Sequence, residues 1–371
     1  RERVSGGLGL PDIAFIPQPA LFSELVSLDL LVPLADDTVD AIVDNFPVER
    51  EDLAASDGEA YLAPYRSNIK SLVWYRPDVF EAGGWTAPET LDELVSLADE
   101  ISGSGLAPWC FALEAGAATG WAASDWIEDL VLRVAGLDVY DSWVNGDTRF
   151  SDAPIEESFR LFDDLVLAPG RTLGGAQRIL STPVEEAGLP LFDDEPGCAM
   201  YKQATFATGW FPDGVEVGTD VDFFVLPGSD ADDDATGDHA PLLGGGDAAI
   251  QFSDRPDVSR LMTYLMTPDG SEEWAARGGY LSSRDSVDPS YYADSEQVFI
   301  DLLLADERET RFDASDTFSS DFRDPYLAGL AEFIGETSYL GTLADLETFL
   351  AGLDELRAEA RPSPGSVPSD D

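Results

Sequence analysis

Acidic side chains outnumber basic ones 73 to 21 in this 371-residue chain, giving a formal charge of −52 at pH 7. Like charges at this density repel one another, so any fold must spread them over its surface and gather the apolar groups elsewhere. The apolar fraction, 44%, is that of an ordinary globular protein and argues against wholesale disorder. The length is too great for one small core and suits two lobes, or one lobe with a large insertion. The charge also excludes classes of partner. A nucleic-acid binder neutralises phosphates with a basic surface, which this chain lacks. An anionic membrane or a highly anionic substrate would be repelled. A neutral or cationic small ligand remains. The bases are 19 Arg and only two Lys, Lys70 and Lys202, a skew that fits GC-rich coding or a salt-loving host and carries no function.

Histidine scarcity removes further chemistry. His239 is alone, so multi-histidine zinc sites are excluded and any Ser-His-Asp triad would need this one residue. It directly follows residues 229–238, an Asp-rich stretch that reads as an exposed acidic loop, so His239 is read as exposed and non-catalytic. Asp230, Asp232 and Asp234 alternate as in a calcium loop, but Ala235 replaces the turn glycine and Pro241 the final glutamate. Solvated charge is the better reading. No apolar run reaches the roughly eighteen residues that span a membrane. The sequence opens abruptly on Arg1-Glu2-Arg3, more like the end of a helix than a natural start, as expected for a fragment or a chain whose leader has been cut.

Residues 11–16, apolar and led by Pro11, predict a buried parallel strand, followed by a helix through Leu21, Leu25 and Leu28. A strand is expected at residues 71–75. Thr90 and Glu93 form a capping box for a helix with Leu91, Leu94, Val95, Ala98 and Ile101 on one face, stopped by Gly103 and Gly105. Residues 107–113 read as strand. Ser124 is expected to cap a helix that buries Ile127, Leu130, Val131 and Val134 and ends at Gly136. Further strands are predicted at 197–201, 221–226 and 247–252. A helix behind Arg255-Pro256 turns Val258, Leu261, Met262 and Leu265 inward, and a short one covers 271–277. The last third is helical, at 326–334 and at 343–358 with Thr342 as cap, before a Pro/Ser/Asp-rich tail at 361–371 expected to be disordered. Strands alternating with helices predict an α/β fold with mostly parallel sheets.

Gly244-Gly245-Gly246-Asp247-Ala248-Ala249 contains a G-x-G-x-x-A string. A dinucleotide site needs that string to open a helix, but the following Ile250-Gln251-Phe252 reads as strand. Glycines entering a strand suit close backbone approach or a bend between lobes. Trp121, Trp126, Trp143, Phe206, Trp210, Phe211 and Tyr280 mostly neighbour small or polar residues rather than long apolar runs. Rings in such places suit a sugar, whose C–H faces stack on aromatics while Asp, Gln and Arg bond its hydroxyls. Composition alone leaves this one option among several.

The segment from Thr119-Gly120-Trp121 through Asp125-Trp126-Ile127-Glu128-Asp129, with Leu132-Arg133-Val134-Ala135-Gly136 and Tyr140-Asp141, resembles extracellular sugar-binding proteins of ABC importers (family 1 type), closest to the α-glucoside-binding branch. Pro11-Asp12-Ile13, Leu31-Val32-Pro33-Leu34, Trp74-Tyr75, Gly197-Cys198-Ala199-Met200, Gly244-Gly245-Gly246-Asp247, Thr267-Pro268-Asp269-Gly270, Trp274-Ala275 and Gly278-Gly279-Tyr280 agree in the same order, up to about Ala360. Such proteins carry a leader, often with a lipid-anchored Cys, and a strand, helix and strand before the Pro-Asp-Ile segment. The present sequence starts beyond these.

The resemblance implies a two-lobed α/β periplasmic-binding-protein-like fold (type II) with C-terminal helices and a ligand cleft between lobes that closes by hinge motion. One lobe would be 1–107 with 243–286, incomplete at its start; the other 108–242 with 287–360. It implies a receptor and not an enzyme, a monomer outside the cytoplasm, anchored or released. Its partners would be a neutral sugar and the membrane subunits of an ABC transporter, with no cofactor. It places Gln18, Arg66, Trp121, Asp125, Gln203, Phe206, Asp247, Tyr280 and Arg284 against the ligand, Trp121 and Asp247 most strongly. Structural roles stand beside these: Asp125 at a helix N-terminus, Phe206 in a core, Arg66 and Arg284 in ion pairs, and Gln18, Gln203 and Tyr280 as loop or core residues. The branch tends to carry Cys at both Cys110 and Cys198, which implies a disulfide in an oxidising compartment, against a buried pair of thiols. Two other functions stay open: a glycoside hydrolase using paired carboxylates, and a receptor for a polyol, peptide or polyamine.

Overall fold

In the computed structural model the described residues are 9–46, 53, 58–229, 240–283, 288–292, 296–303, 308–340 and 345–360. In chain order the elements are β1 (Ile13–Ile16), α1 (Pro19–Ser27), α2 (Asp36–Asn45), β2 (Ala63–Ile69), β3 (Leu72–Tyr75), α3 (Pro77–Gly83), α4 (Leu91–Ser104), β4 (Ala107–Trp109), α5 (Trp121–Val134), α6 (Leu137–Asn145), α7 (Ala153–Phe162), α8 (Gly175–Ser181), β5 (Cys198–Lys202), β6 (Asp222–Val225), β7 (Leu242–Gln251), α9 (Pro256–Leu265), α10 (Asp269–Ala275), β8 (Leu281–Ser282), α11 (Gln297–Leu303), β9 (Thr310–Phe312), α12 (Ala314–Thr317), α13 (Ser320–Leu340) and α14 (Leu346–Glu359). The acidic loop with His239, the tail at 361–371, Arg284 and Thr342 lie outside the described residues. None of the described helices is long and apolar enough to cross a membrane.

The described residues divide into two compact units, 9–68 with Gly245–Ile300 and Ile69–Gly244 with 301–360. The first crossing falls at Asn68/Ile69 and not at 107, because β3 pairs with β5 and β6 of the second unit. The last described crossing is at Ile300/Asp301 instead of 286.

In the first unit the strands run in the order β1-β7-β2-β8. β1 is antiparallel to β7, with Ile13 opposite Gln251, and β2 is antiparallel to β8, with Arg66 opposite Ser282. Leu25, Leu31, Tyr61 and Ile250 form a small core here, with Ala14, Ile16 and Phe22 packed against it. In the second unit the order is β4-β5-β3-β6, and β9 runs beside the first residues of β7. β4 with β5 and β7 with β9 are parallel, while β1 with β7, β2 with β8 and β3 with both β5 and β6 are antiparallel. The expectation of mostly parallel sheets is therefore corrected. An apolar run reports burial but carries no direction, and β1, read as buried and parallel, is half-buried and antiparallel. The second unit holds the large core, with Trp109, Trp126 and Trp143 buried in it, while Trp74 is buried against Phe211 and Phe223. Trp109 meets Trp126 edge-on at 4.9 Å and donates its indole N–H to the Leu165 carbonyl at 2.8 Å. Cys110 follows β4 and Cys198 opens β5, with their Cα atoms 5.4 Å apart, a separation that a disulfide can bridge.

Local chemistry explains several boundaries. The Thr90 hydroxyl accepts from Glu93 N–H at 3.1 Å, while the Glu93 carboxylate takes the N–H of Glu89 rather than of Thr90, and Gly105 ends α4 in the left-handed region. Asp345 caps α14, accepting from Thr348 N–H. Ser124 does not cap α5. The helix starts at Trp121 after Gly120, and Ser124 lies within it, bonded to Glu128 at 2.6 Å. α5 is also buried on every side between Ala122 and Arg133, not along one apolar stripe. On α9, Val258 and Met262 are buried but Leu261 is exposed, so that face is narrower than expected.

Gly120 sits at φ +111°, and a Cβ there would lie 2.2 Å from the Leu327 carbonyl oxygen. Gly352, inside α14, has open space around it. Gly120→Ala is expected to lower the unfolding free energy by roughly 2–4 kcal/mol. Gly352→Ala should raise it by about 0.5–1 kcal/mol. Urea unfolding of both variants checks the pair, and equal effects would refute it.

Candidate functional site

Each unit gathers aromatic rings beside charged groups, and each gathering is described on its own. In the first unit, β7 passes so close to β2 that a Cβ on Gly246 would lie 2.6 Å from the Arg66 carbonyl oxygen. Only glycine permits that approach, and it brings the next residue, Asp247, to Arg66. Arg66 Nε donates to Asp247 Oδ2 at 2.7 Å, and a second guanidinium nitrogen lies 2.5 Å from the same oxygen. Both side chains stay partly open to solvent. The guanidinium also lies 5.7 Å from the ring centre of Trp274, which is 41% exposed. Trp274 stacks on Tyr280 at 5.0 Å. Tyr280 is buried and donates its hydroxyl to the Tyr65 carbonyl at 2.9 Å. Tyr65 in turn packs against Phe15, 46% exposed, with ring centres 4.8 Å apart. Glu296 takes the N–H of Gly279 at 2.5 Å, in a turn where Gly278 and Gly279 adopt positive φ, which sets the entry to Tyr280.

In the second unit, Trp121 is half-buried at the first position of α5. Its ring lies 6.1 Å from Phe206, which lies 5.1 Å from Trp210. One turn along the helix, Asp125 is buried and its Oδ1 accepts from the Lys70 ammonium at 3.1 Å. The same ammonium bonds Asp313 and lies 3.9 Å from Asp316. Glu128 accepts from the N–H groups of Ala314 and Ser315 at 2.7 and 3.1 Å. Asp129 pairs with Arg133 at 2.6 Å and Lys202 at 3.1 Å. The Arg133 guanidinium reaches the Leu226 and Pro241 carbonyls as well. Asp125, Glu128, Asp129 and Arg133 thus share one buried face of α5.

Carboxyls outnumber cations in this buried group, so it retains protons. Burial pushes Asp125 up to about 8, overcoming the pull of Lys70, while neighbouring Asp313 adds to the rise. Glu128 is raised by burial and by Asp313 and Asp125. Asp313 is lowered: burial works against its charge, but the Lys70 ammonium and a hydrogen bond with Asp125 outweigh it. Lys70 is desolvated, yet Asp125, Asp313, Asp316 and Glu128 together hold its ammonium well above the usual range.

Of the expected ligand residues, Arg66, Asp247 and Tyr280 come together in the first unit, and Trp121, Asp125 and Phe206 in the second. Gln203 does not present its side chain as a free hydrogen-bonding group. It is buried, its amide oxygen takes the N–H of Ala204 at 2.9 Å, and its carbonyl takes the Trp74 indole N–H. Gln18 stands half-buried at the start of α1 with no side-chain capping bond. Arg284 lies outside the described residues. Missed in the sequence were Phe15, Tyr65 and Trp274, and the ion partners Lys70 and Asp313. The signal available for Lys70 was its rarity, one of two lysines in an arginine-rich chain.

Residues 2–272 match the family of bacterial extracellular solute-binding proteins. The chain is 33% identical over 345 residues to the alpha-glucosides-binding periplasmic protein AglE of Rhizobium meliloti (strain 1021), covering 91% of this chain and 75% of that one. It is 34% identical over 335 residues to the osmoprotective compounds-binding protein GgtB of Synechocystis sp. (strain ATCC 27184 / PCC 6803 / Kazusa), covering 90% and 78%. Among solved structures, a chitin oligosaccharide binding protein superposes with a TM-score of 0.77 at 19% identity, over 96% of this chain and 85% of that one. Maltose-bound MalE3 of T. maritima gives 0.67 at 18% identity, over 96% and 86%. The chain belongs to the bacterial extracellular solute-binding proteins, and its fold is the two-lobed type II α/β fold of these structures.

The raised carboxyl of Asp125 makes stability depend on pH with a defined sign. Between about pH 4 and its folded value of about 8, the folded state holds a proton that the unfolded chain has released. Stability therefore falls as pH rises through that window, with Glu128 contributing in the same direction. In Asp125→Asn the fall between pH 5 and 8 should be smaller by a few kcal/mol. Urea unfolding at several pH values measures it, and parallel curves for the two proteins would contradict the assignment.

Proposed function

We propose that this protein is an extracytoplasmic carbohydrate receptor that captures a neutral glucoside or oligosaccharide without turnover and delivers it to the permease of an ABC importer. The observation that carries the reading is the pairing of partly exposed rings with hydrogen-bonding charges. Trp274 lies beside the Arg66–Asp247 pair, and Trp121 lies beside Phe206 and the Lys70 ammonium, with Trp210 packed on Phe206. Such rings stack on the C–H faces of a pyranose, while the guanidinium donates to hydroxyls and the carboxylate accepts from them. The relative named for α-glucosides supports the same ligand class. An uncharged ligand is compatible with the net charge.

A second reading draws on the relative named for osmoprotective compounds. A small polyol or cationic osmolyte would also suit exposed rings in an acidic chain. A thermal-shift panel of maltose, trehalose, sucrose, aryl glucosides, polyols and glycine betaine separates the two, because a ligand bound by the folded state raises its melting temperature. Sugars are expected to shift it, and Trp121→Ala and Trp274→Ala should each weaken their binding by about 1 kcal/mol or more without unfolding the protein. A response to betaine or polyols alone would replace the sugar reading. Release of aglycone from the aryl glucosides would favour a hydrolase.

The periplasmic and extracellular relatives support a site of action outside the cytoplasm, anchored or released. A Cys110–Cys198 disulfide fits an oxidising compartment and would close a loop across a sequence separation of 88. Thiol titration of the unreduced, denatured protein should find no free cysteine. Reduction should destabilise the fold by roughly 2–5 kcal/mol. Two free thiols before reduction would rule the disulfide out.

A further inference from the structure

We infer that the Lys70–Asp125–Asp313 cluster is a positioning device, holding the ring of Trp121 in register with the segments through which the chain enters and leaves the second unit. The inference rests on the reading of Trp121 as a sugar-stacking ring. Lys70 is the second residue after the crossing at Asn68/Ile69, and Leu243 and Gly244 immediately precede the crossing at Gly244/Gly245. Asp313 directly follows β9 on the segment that returns to the second unit at Asp301.

These segments are tied to one another by main-chain bonds. Lys70 N–H donates to the Leu243 carbonyl at 2.7 Å, and Asp313 N–H to the Gly244 carbonyl at 2.8 Å. Leu243 N–H donates to the Ser71 hydroxyl at 2.8 Å. They are tied to α5 by the ammonium of Lys70, which binds Asp125 and Asp313 together. Asp125 follows Trp121 by four residues and so shares its helix face. The Lys70 ammonium lies 6.0 Å from the Trp121 ring centre. The other lysine supports the arrangement from below, with Lys202 Nζ donating to the carbonyls of both Lys70 and Asp125 at 3.2 Å.

The choice of side chain is informative. Elsewhere this chain uses arginine for almost every cation. Here the acceptors converge on one point, which a compact ammonium with three rotatable donors can serve and a planar guanidinium cannot. The groups facing Asp125 come from every neighbouring element: Lys70 before β3, Lys202 on β5, Glu128 on α5, Asp313 at the head of α12 and Asp316 within it. Tyr140 and Tyr326 complete the surroundings of Glu128, and burial together with its charge raises both phenols. Loss of the Asp125 proton near pH 8 would redistribute these bonds and move the Trp121 ring.

The test uses the full chain labelled with 5-fluorotryptophan, the Trp121 resonance being identified by its absence in Trp121→Phe. That resonance is expected to titrate between about pH 7 and 9, and to lose the transition in Asp125→Asn, whose amide conserves the shape. Lys70→Met should displace it and weaken maltose binding at least tenfold in calorimetry, and Lys70→Arg should not restore either. A Trp121 resonance that is constant from pH 6 to 9.5 and unchanged by Asp125→Asn would overturn the inference, whether or not Lys70→Met folds. So would unaltered maltose affinity in folded Lys70→Met. Failure of the parent protein to bind any sugar would count against the carbohydrate reading instead, and the fluorine signal would still decide the positioning role.

Discussion

Helix α5 turns its charges inward, and much of the second unit is organised around that choice. Asp125, Glu128, Asp129 and Arg133 lie on one buried face, opposite Lys70, Lys202 and Asp313 from other elements. A buried ion that loses its partner costs several kcal/mol, so each member constrains the position of the others. The main-chain groups of α12 are held by Glu128, those around Leu226 and Pro241 by Arg133, and the start of β3 by Asp129 through Ser71. A hydrophobic face would tolerate small slips in register. A set of directional ion pairs does not, because each slip leaves a donor or acceptor unpaired.

The first unit treats its charges differently. Arg66 and Asp247 meet at a partly hydrated position, where the strand geometry at Gly246 brings them together. Their mutual bond leaves other guanidinium donors and carboxylate lone pairs available for hydroxyl groups. The rings beside them are arranged in depth. Tyr65 and Tyr280 are buried, and the exposed Phe15 and Trp274 rest on them. A ring held from beneath by another ring has few rotamers to lose when a ligand arrives, which favours binding.

Much of this was legible in the sequence. Thr90 and Gly105 bound a helix by chemistry that any reader of capping rules can find, and alternating elements announced an α/β fold. The glycines at 244–246 suit close backbone approach or a bend between lobes, and at Gly246 the geometry is the close approach. Strand direction was not legible, since apolar runs look alike in either sense. The start of α5 was misplaced because Ser124 resembles a cap, and nothing local reveals that its hydroxyl belongs to Glu128. The inward face of α5 was hidden for a related reason. In so acidic a chain an Asp or Glu reads as surface, and of the cations that neutralise these only Arg133 is local, the others arriving from positions 70 and 202, far off in sequence. The site residues were recoverable in part, through resemblance and ring placement, but Trp274 and Phe15 become notable only once the tyrosines beneath them are seen.

The chain has two lysines, and both end inside the second unit, with side chains 9% and 2% exposed. The folded exterior therefore offers no lysine to acylating reagents, to crosslinkers that bridge primary amines, or to enzymes that acetylate or conjugate them. Carboxylates are the abundant exposed handles for attaching a dye or a solid support, and unfolding would be announced by the sudden reactivity of two lysine amines that the native state conceals.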